Sequence, residues 1–157
     1  MSDPYEEILA GEFTLRLPPG PRHELICARL HGAIKASVAN FRGMKLLDPR
    51  TQIRVNQFTA LRPDLALLTT ITGKLWFAVE VVSSEDHHTD TVIKKQIYED
   101  LKVPRLWMVD PRYDNIEVYQ ATEYGLKLDG ILAGREVISE KLLPEFQMVV
   151  AELFAPQ

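Results

Sequence analysis

Residues 75–84, LWFAVEVVSS, constrain the fold of this chain more than any other stretch. The run is almost wholly apolar, rich in aromatic and β-branched residues, free of Gly and Pro, and closed by two serines. A run of that kind forms a strand buried on both faces, as in the middle of a parallel or mixed sheet. Glu80 lies inside it. An ionised carboxylate among Val79, Val81 and Val82 is strongly disfavoured unless a cation, a donor network or a proton compensates it. Glu80 is therefore either a binding group at the strand's exposed carboxyl end or a structural polar anchor.

The neighbouring segments supply a sheet around that strand. Residues 12–17, EFTLRL, alternate polar and apolar as a first strand, which Pro18-Pro19-Gly20-Pro21 breaks. Ile26, Leu30, Ala33, Ile34, Val38 and Phe41 then recur at three- and four-residue spacing, predicting an amphipathic helix over residues 25–41 with Asn40 and Gly43 as stop signals. If it starts near Arg22, His23 shares the face of Cys27 and Leu30. Short strands follow over residues 45–47, 53–55 and 65–68, the last entered through Arg62-Pro63-Asp64. After the central strand, the loop EDHHTD leads to a helix over residues 91–101 with Thr89 or Asp90 as its N-cap.

Asp90, Lys94 and Tyr98 recur every fourth residue and share one face of that helix, which alone would describe an exposed ion pair worth about 0.3 kcal/mol. Residues 105–109, RLWMV, return as a strand parallel to the central one, a crossover unit. Further short strands are expected over residues 116–119, 126–128 and 136–138, and within 142–154.

Length and composition narrow the class. The 157 residues suit one domain with a core of its own. No apolar run reaches membrane-spanning length, and the opening lacks a secretory pattern, so a cytoplasmic location is the default. Cys27 is the single cysteine, which removes disulfide frameworks and thiolate clusters. A formal net charge of −4 argues against bulk coating of nucleic acid, although Arg22, Arg29, Lys35, Arg42 and Lys45 could gather into a local patch. No glycine-rich phosphate loop or nucleophile elbow marks a cofactor enzyme or a serine hydrolase.

Taken together, Pro63-Asp64, Glu80-Val81-Val82-Ser83, Asp90-x-x-x-Lys94-x-x-x-Tyr98 and Val103-Pro104-x-x-Trp107-x-Val109-Asp110-Pro111 resemble the Uma-two family of the restriction-endonuclease-like PD-(D/E)XK superfamily. The resemblance continues through Tyr5-Glu6 and Gly11-Glu12-Phe13 at one end and Leu143-Pro144 to Leu153-Phe154 at the other. It implies an α/β fold with a restriction-endonuclease-like mixed central β-sheet flanked by helices. The superfamily's lysine two residues after the glutamate is replaced here by Val82; in the Uma-two pattern it comes from the following helix, where Lys94 stands.

The implied activity is metal-dependent hydrolysis of DNA phosphodiester bonds. Asp64 and Glu80, with a backbone carbonyl near Val81, would hold Mg²⁺ or Mn²⁺, hard cations that take oxygen ligands. Lys94 would orient the attacking water, with Asp90 and Tyr98 holding its side chain. His23 would bind substrate, assist proton transfer or simply pack. His87 and His88 are read as loop residues, and Trp76 and Trp107 as sheet packing. Asp64→Asn, Glu80→Gln and Lys94→Ala are each expected to abolish cutting and leave the fold intact. A homodimer fits a duplex substrate with two strands to cut. The competing reading is a non-catalytic binding or regulatory module that retains the nuclease fold.

Overall fold

The computed structural model describes residues 3–156 and is a mixed α/β structure. Its centre is β7 (Leu75–Val81), buried from Trp76 onward. On one side β7 pairs antiparallel with β6 (Leu65–Thr69), and on the other it runs parallel to β8 (Arg105–Asp110). Antiparallel β9 (Asn115–Thr122) and β10 (Gly125–Ala133) extend the sheet beyond β8, and β3 (Met44–Leu46) closes the opposite edge, giving the order β10-β9-β8-β7-β6-β3. The parallel β7–β8 pair needs a crossover, which the chain supplies between Val81 and Arg105.

Period-two alternation divides β7 between two cores. Phe77, Val79 and Val81 pack with Ile26, Leu30 and Ile34 of α1 (Pro21–Val38). Ala78 and Val82 pack on the other face with Tyr98, Leu106 and Met108. Glu80 shares the parity of Ala78, so it faces the second core rather than α1.

The crossover is not the plain helix that the spacing predicts. Residues 89–94 form a π-helical segment (Thr89–Lys94) that runs into α2 (Lys95–Asp100). Asp90 is no N-cap: it lies within the π-helical turns, and no side chain caps that segment. Asp90, Lys94 and Tyr98 are all buried, which overturns the exposed ion pair. Single π-helical turns inside helices recur at functional sites.

A second sheet, ordered β2-β1-β5-β4, covers that face. Its hairpin is β1 (Tyr5–Leu9) and β2 (Glu12–Arg16), so a strand precedes the one expected first. Short β4 (Ile53–Asn56) and β5 (Thr59–Leu61) complete it. The stretch between α1 and β7, read as one run of strands, therefore divides between two sheets. Helix α1 starts at Pro21, with proline in its first turn, and ends at Val38, three residues before Phe41. The hairpin β11 (Val137–Glu140) and β12 (Leu143–Val149) and the short α3 (Val150–Phe154) pack under α1. Among the described residues, no helix is long and apolar enough to cross a membrane.

Candidate functional site

The two sheets and the π-helical segment meet around Lys94, whose ammonium is fully buried. Its Nζ lies 2.7 Å from Glu80 and 2.8 Å from Glu7. Tyr98 donates its hydroxyl hydrogen to the same Glu80 oxygen. Glu7 also accepts from Arg16 at 2.6 Å and from the Arg62 backbone N–H at 2.7 Å. Arg16 continues to Asp90 (2.7 Å) and Asp86 (2.7 Å), and the other Asp90 oxygen accepts from the Ser83 N–H at 2.9 Å. Glu7, Arg16, Glu80, Asp90, Lys94 and Tyr98 thus form one connected buried network.

Asp64, at the entry to β6, joins from the strand beside β7, where the register that sets Leu65 opposite Val79 brings it next to Glu80. It accepts from the Val81 N–H (2.8 Å) and from Arg50 (3.1 Å), and His23 Nε2 stands 3.5 Å away. The same His23 nitrogen lies 3.0 Å from the Val81 carbonyl oxygen. The carbonyl expected to be a third metal ligand therefore has the imidazole on it. His87 and His88 are exposed in the first helical turn and contribute no contact to the network. Of the basic residues expected to form a patch, Arg22 is tied to Asp114 and Arg29 to the Leu153 carbonyl.

Electrostatics separate the two acidic groups. Burial pushes the Asp64 carboxyl up, but His23, Lys94 and the Val81 N–H outweigh it and hold it at about 2. For Glu80 burial prevails: Lys94 opposes it, Asp64, Glu7 and Asp90 reinforce it, and the carboxyl rises to about 8. Burial pulls the Lys94 pKa down, but Glu7, Glu80 and Asp90 outweigh it and keep the ammonium charged. Four buried carboxyl groups, Glu7, Asp64, Glu80 and Asp90, are matched by Arg16, Lys94, Arg50 and His23. The hard oxygen donors suit a divalent cation, whose charge would also let Glu80 ionise.

Asp64, Glu80 and the Val81 carbonyl are the atoms that would hold such an ion. His23, Cys27 and Asp64 bring a nitrogen, a sulfur and an oxygen within 4.8 Å of one another beside them. Burial raises the Cys27 thiol well above its ordinary pKa, which disfavours the thiolate a soft metal would need. The oxygen set is the better seat.

A cavity of about 340 Å³ opens next to the network, walled by Tyr5, Arg16, His23, Ser83 and Arg112 among others. Asp64, Glu80 and Lys94 are not on its wall; Asp64 stands behind His23, and Glu80 and Lys94 lie deeper. Glu7 and Arg16 are site residues that the sequence reading omits. Their signal is an acid and a base at the inward positions of short alternating strands.

The model of the Uma2 family, described as "Putative restriction endonuclease", matches residues 2–151. The chain belongs to the Uma2 family. A crystal structure from Anabaena variabilis, described as "a putative nuclease belonging to DUF820", superposes on this Uma2 chain with a TM-score of 0.80. The match covers 98% of this chain and 91% of that one at 14% identity, a likeness of fold. No curated protein matches the chain.

His23 makes the site's pH dependence testable in the metal-free protein. Burial pulls its pKa down, but Asp64 and the Val81 carbonyl raise it above 6.5 overall. A raised pKa gives stability that is fully present below the unfolded value and lost as pH rises through the folded one. The thermal midpoint should therefore fall between pH 6 and pH 9, and His23→Gln should make that fall shallower. An unchanged slope in His23→Gln would show that His23 adds nothing to it.

Proposed function

We propose that this Uma2 chain is a divalent-metal-dependent endonuclease that hydrolyses phosphodiester bonds of DNA. One observation carries the reading: a fully buried lysine ammonium lies between Glu7 and Glu80, the latter on the strand next to Asp64, so that two carboxylates and an ammonium gather at one end of the central sheet. Asp64 and Glu80 would hold the ion, with the Val81 carbonyl once His23 gives it up, and Mg²⁺ or Mn²⁺ there would supply charge neutralisation and a more acidic water.

The chain's own groups do the rest. Lys94 Nζ is within ion-pair distance of Glu7 and Glu80 without hydrogen-bond geometry to either, so its donors are there for the attacking water or a phosphoryl oxygen. Tyr98 fixes Glu80, while Arg16 holds Asp90 at the start of the segment that carries Lys94. His23, at the cavity wall and touching both Asp64 and Val81, is placed to exchange a proton with the attacking water or the leaving oxygen.

A second reading, a non-catalytic module with the same fold, draws on the burial of Asp64, Glu80 and Lys94 behind the cavity wall. Calorimetric titration with Mn²⁺, run beside cleavage of supercoiled plasmid DNA in Mg²⁺ or Mn²⁺, separates the two. The nuclease reading expects wild type to bind Mn²⁺ and nick the plasmid, and Asp64→Asn to lose both. Wild type that takes up no ion sinks it; ion binding without cleavage of any DNA form favours the module.

A further inference from the structure

Strand β2 is the outer edge of the four-stranded sheet, and among the described residues its ladder partner is β1 alone. Its side chains invert the usual pattern. Arg16 turns inward, while Phe13, Leu15 and, just past the strand, Leu17 are 77%, 65% and 57% exposed. Phe58, also 57% exposed, sits at the hairpin tip, where its carbonyl accepts from the Gly11 N–H at 2.7 Å. Sheet edges left free in solution are blunted by lysine, proline or a bulge. Residues 12–16 contain neither Lys nor Pro, and their pairing with β1 has no register shift.

The outward hydrogen-bonding groups follow from the turn. Ala10 and Gly11 both have positive φ, 51° and 87°, as in a type I′ hairpin. Such a turn closes on Leu9 opposite Glu12, and the antiparallel ladder then alternates. The bonded pairs are therefore Glu7 with Thr14 and Tyr5 with Arg16, which leaves the N–H and C=O of Phe13 and Leu15 pointing away from β1.

We propose that β2 pairs antiparallel with β2 of a second copy of this chain, across a twofold axis through Thr14. That register sets Phe13 opposite Leu15 of the second copy, and Leu15 opposite Phe13. It sets Gly11 opposite Leu17, so Phe58, bonded to Gly11, comes beside that leucine. Every member of the exposed apolar row meets an apolar neighbour. Glu12 falls opposite Arg16, so the register sets no two like charges directly opposite each other. The two four-stranded sheets become one of eight strands. Because Arg16 holds Glu7 and Asp90, the two candidate centres are fixed on either side of the axis. The inference goes beyond the nuclease reading and does not rest on it.

Sedimentation velocity on the full chain over a wide concentration range tests it. Wild type should run at twice 17.9 kDa, and Leu15→Lys at 17.9 kDa with an unchanged far-ultraviolet circular dichroism spectrum, since Leu15 is exposed in the monomer. Thr14→Cys tests the register. On the axis the two Cα atoms form a non-hydrogen-bonded pair about 4.5 Å apart, within disulfide reach. Mild oxidation should give a reducible covalent dimer from Thr14→Cys and none from wild type, whose Cys27 is buried. A monomeric wild type overturns the proposal and leaves the row to a different partner. A dimer that survives Leu15→Lys, or one that forms no Thr14→Cys crosslink, uses another surface and overturns it too.

Discussion

Lys94→Ala should unfold far more easily than wild type, with a loss of roughly 3–5 kcal/mol, the usual cost of removing one partner from a buried ion pair. The reason lies in what it leaves behind. Glu7 and Glu80 keep their places in a site where their side chains are 0% and 2% exposed; Glu80 loses its one ion-pair partner and Glu7 one of two. Arg16 still neutralises Glu7 in part; Glu80 retains only the Tyr98 hydroxyl. For a chain of this size each kcal/mol moves the thermal midpoint by about 2–4 °C, so the drop should be on the order of 10 °C. Nuclease activity would fall in the same variant, but through two causes at once. Lys94→Ala is therefore not the fold-neutral test that the sequence suggests. Lys94→Met separates the causes less well than the double variant Glu7→Gln with Lys94→Ala, which removes one of the stranded charges and should recover part of the lost stability. If Lys94→Ala melts within a degree or two of wild type, the buried network contributes little and the picture of a charge-locked lysine is wrong.

The contrast shows which features of this molecule a sequence reveals. The central strand and α1 are legible because their burial is nearly complete on the relevant face, so apolar spacing alone reports it: Phe77, Val79 and Val81 meet Ile26, Leu30 and Ile34. The Asp90, Lys94 and Tyr98 spacing is equally visible, yet a four-residue period says which residues share a face and not whether that face meets water. Here it meets Glu7 and Arg16 from the first sixteen residues, and the Arg16–Asp90 bond spans 74 positions.

No local pattern could have linked them, because charge compensation across such a distance is a property of the fold. The hairpin misleads for a related reason. Alternation normally turns apolar residues inward, and β2 does the reverse because the inner face carries Arg16 to the site while the outer face keeps Phe13 and Leu15. The division of residues 44–69 between two sheets was hidden too. Strands of three to five residues carry too little pattern to state their partners, which the long-range ladders decide.

Glu80→Gln should separate stability from function in the opposite direction to Lys94→Ala. In the metal-free protein the folded chain holds the Glu80 proton up to about pH 8, whereas an unfolded glutamate releases it near 4.5. Between those two values the folded state binds the extra proton, so its stability declines as pH rises across that window. Each pH unit is worth about 1.4 kcal/mol for one proton, an upper bound because Lys94 shares the charge, so the decline attributable to Glu80 is on the order of a few kcal/mol at most. Glutamine has the same shape, carries no charge to desolvate and still accepts from Tyr98.

Glu80→Gln should therefore match wild type at pH 5, equal or exceed it at pH 8, and lose Mn²⁺ binding and DNA cleavage at both. Thermal melts at the two pH values, paired with calorimetric titration of Mn²⁺, read the two halves independently. A variant less stable than wild type at pH 8 would mean that Glu80 is a structural anchor whose ion pair with Lys94 outweighs its burial. A variant that melts as expected but still takes up the ion as tightly as wild type would remove Glu80 from the metal site and leave Asp64 to hold it with other donors.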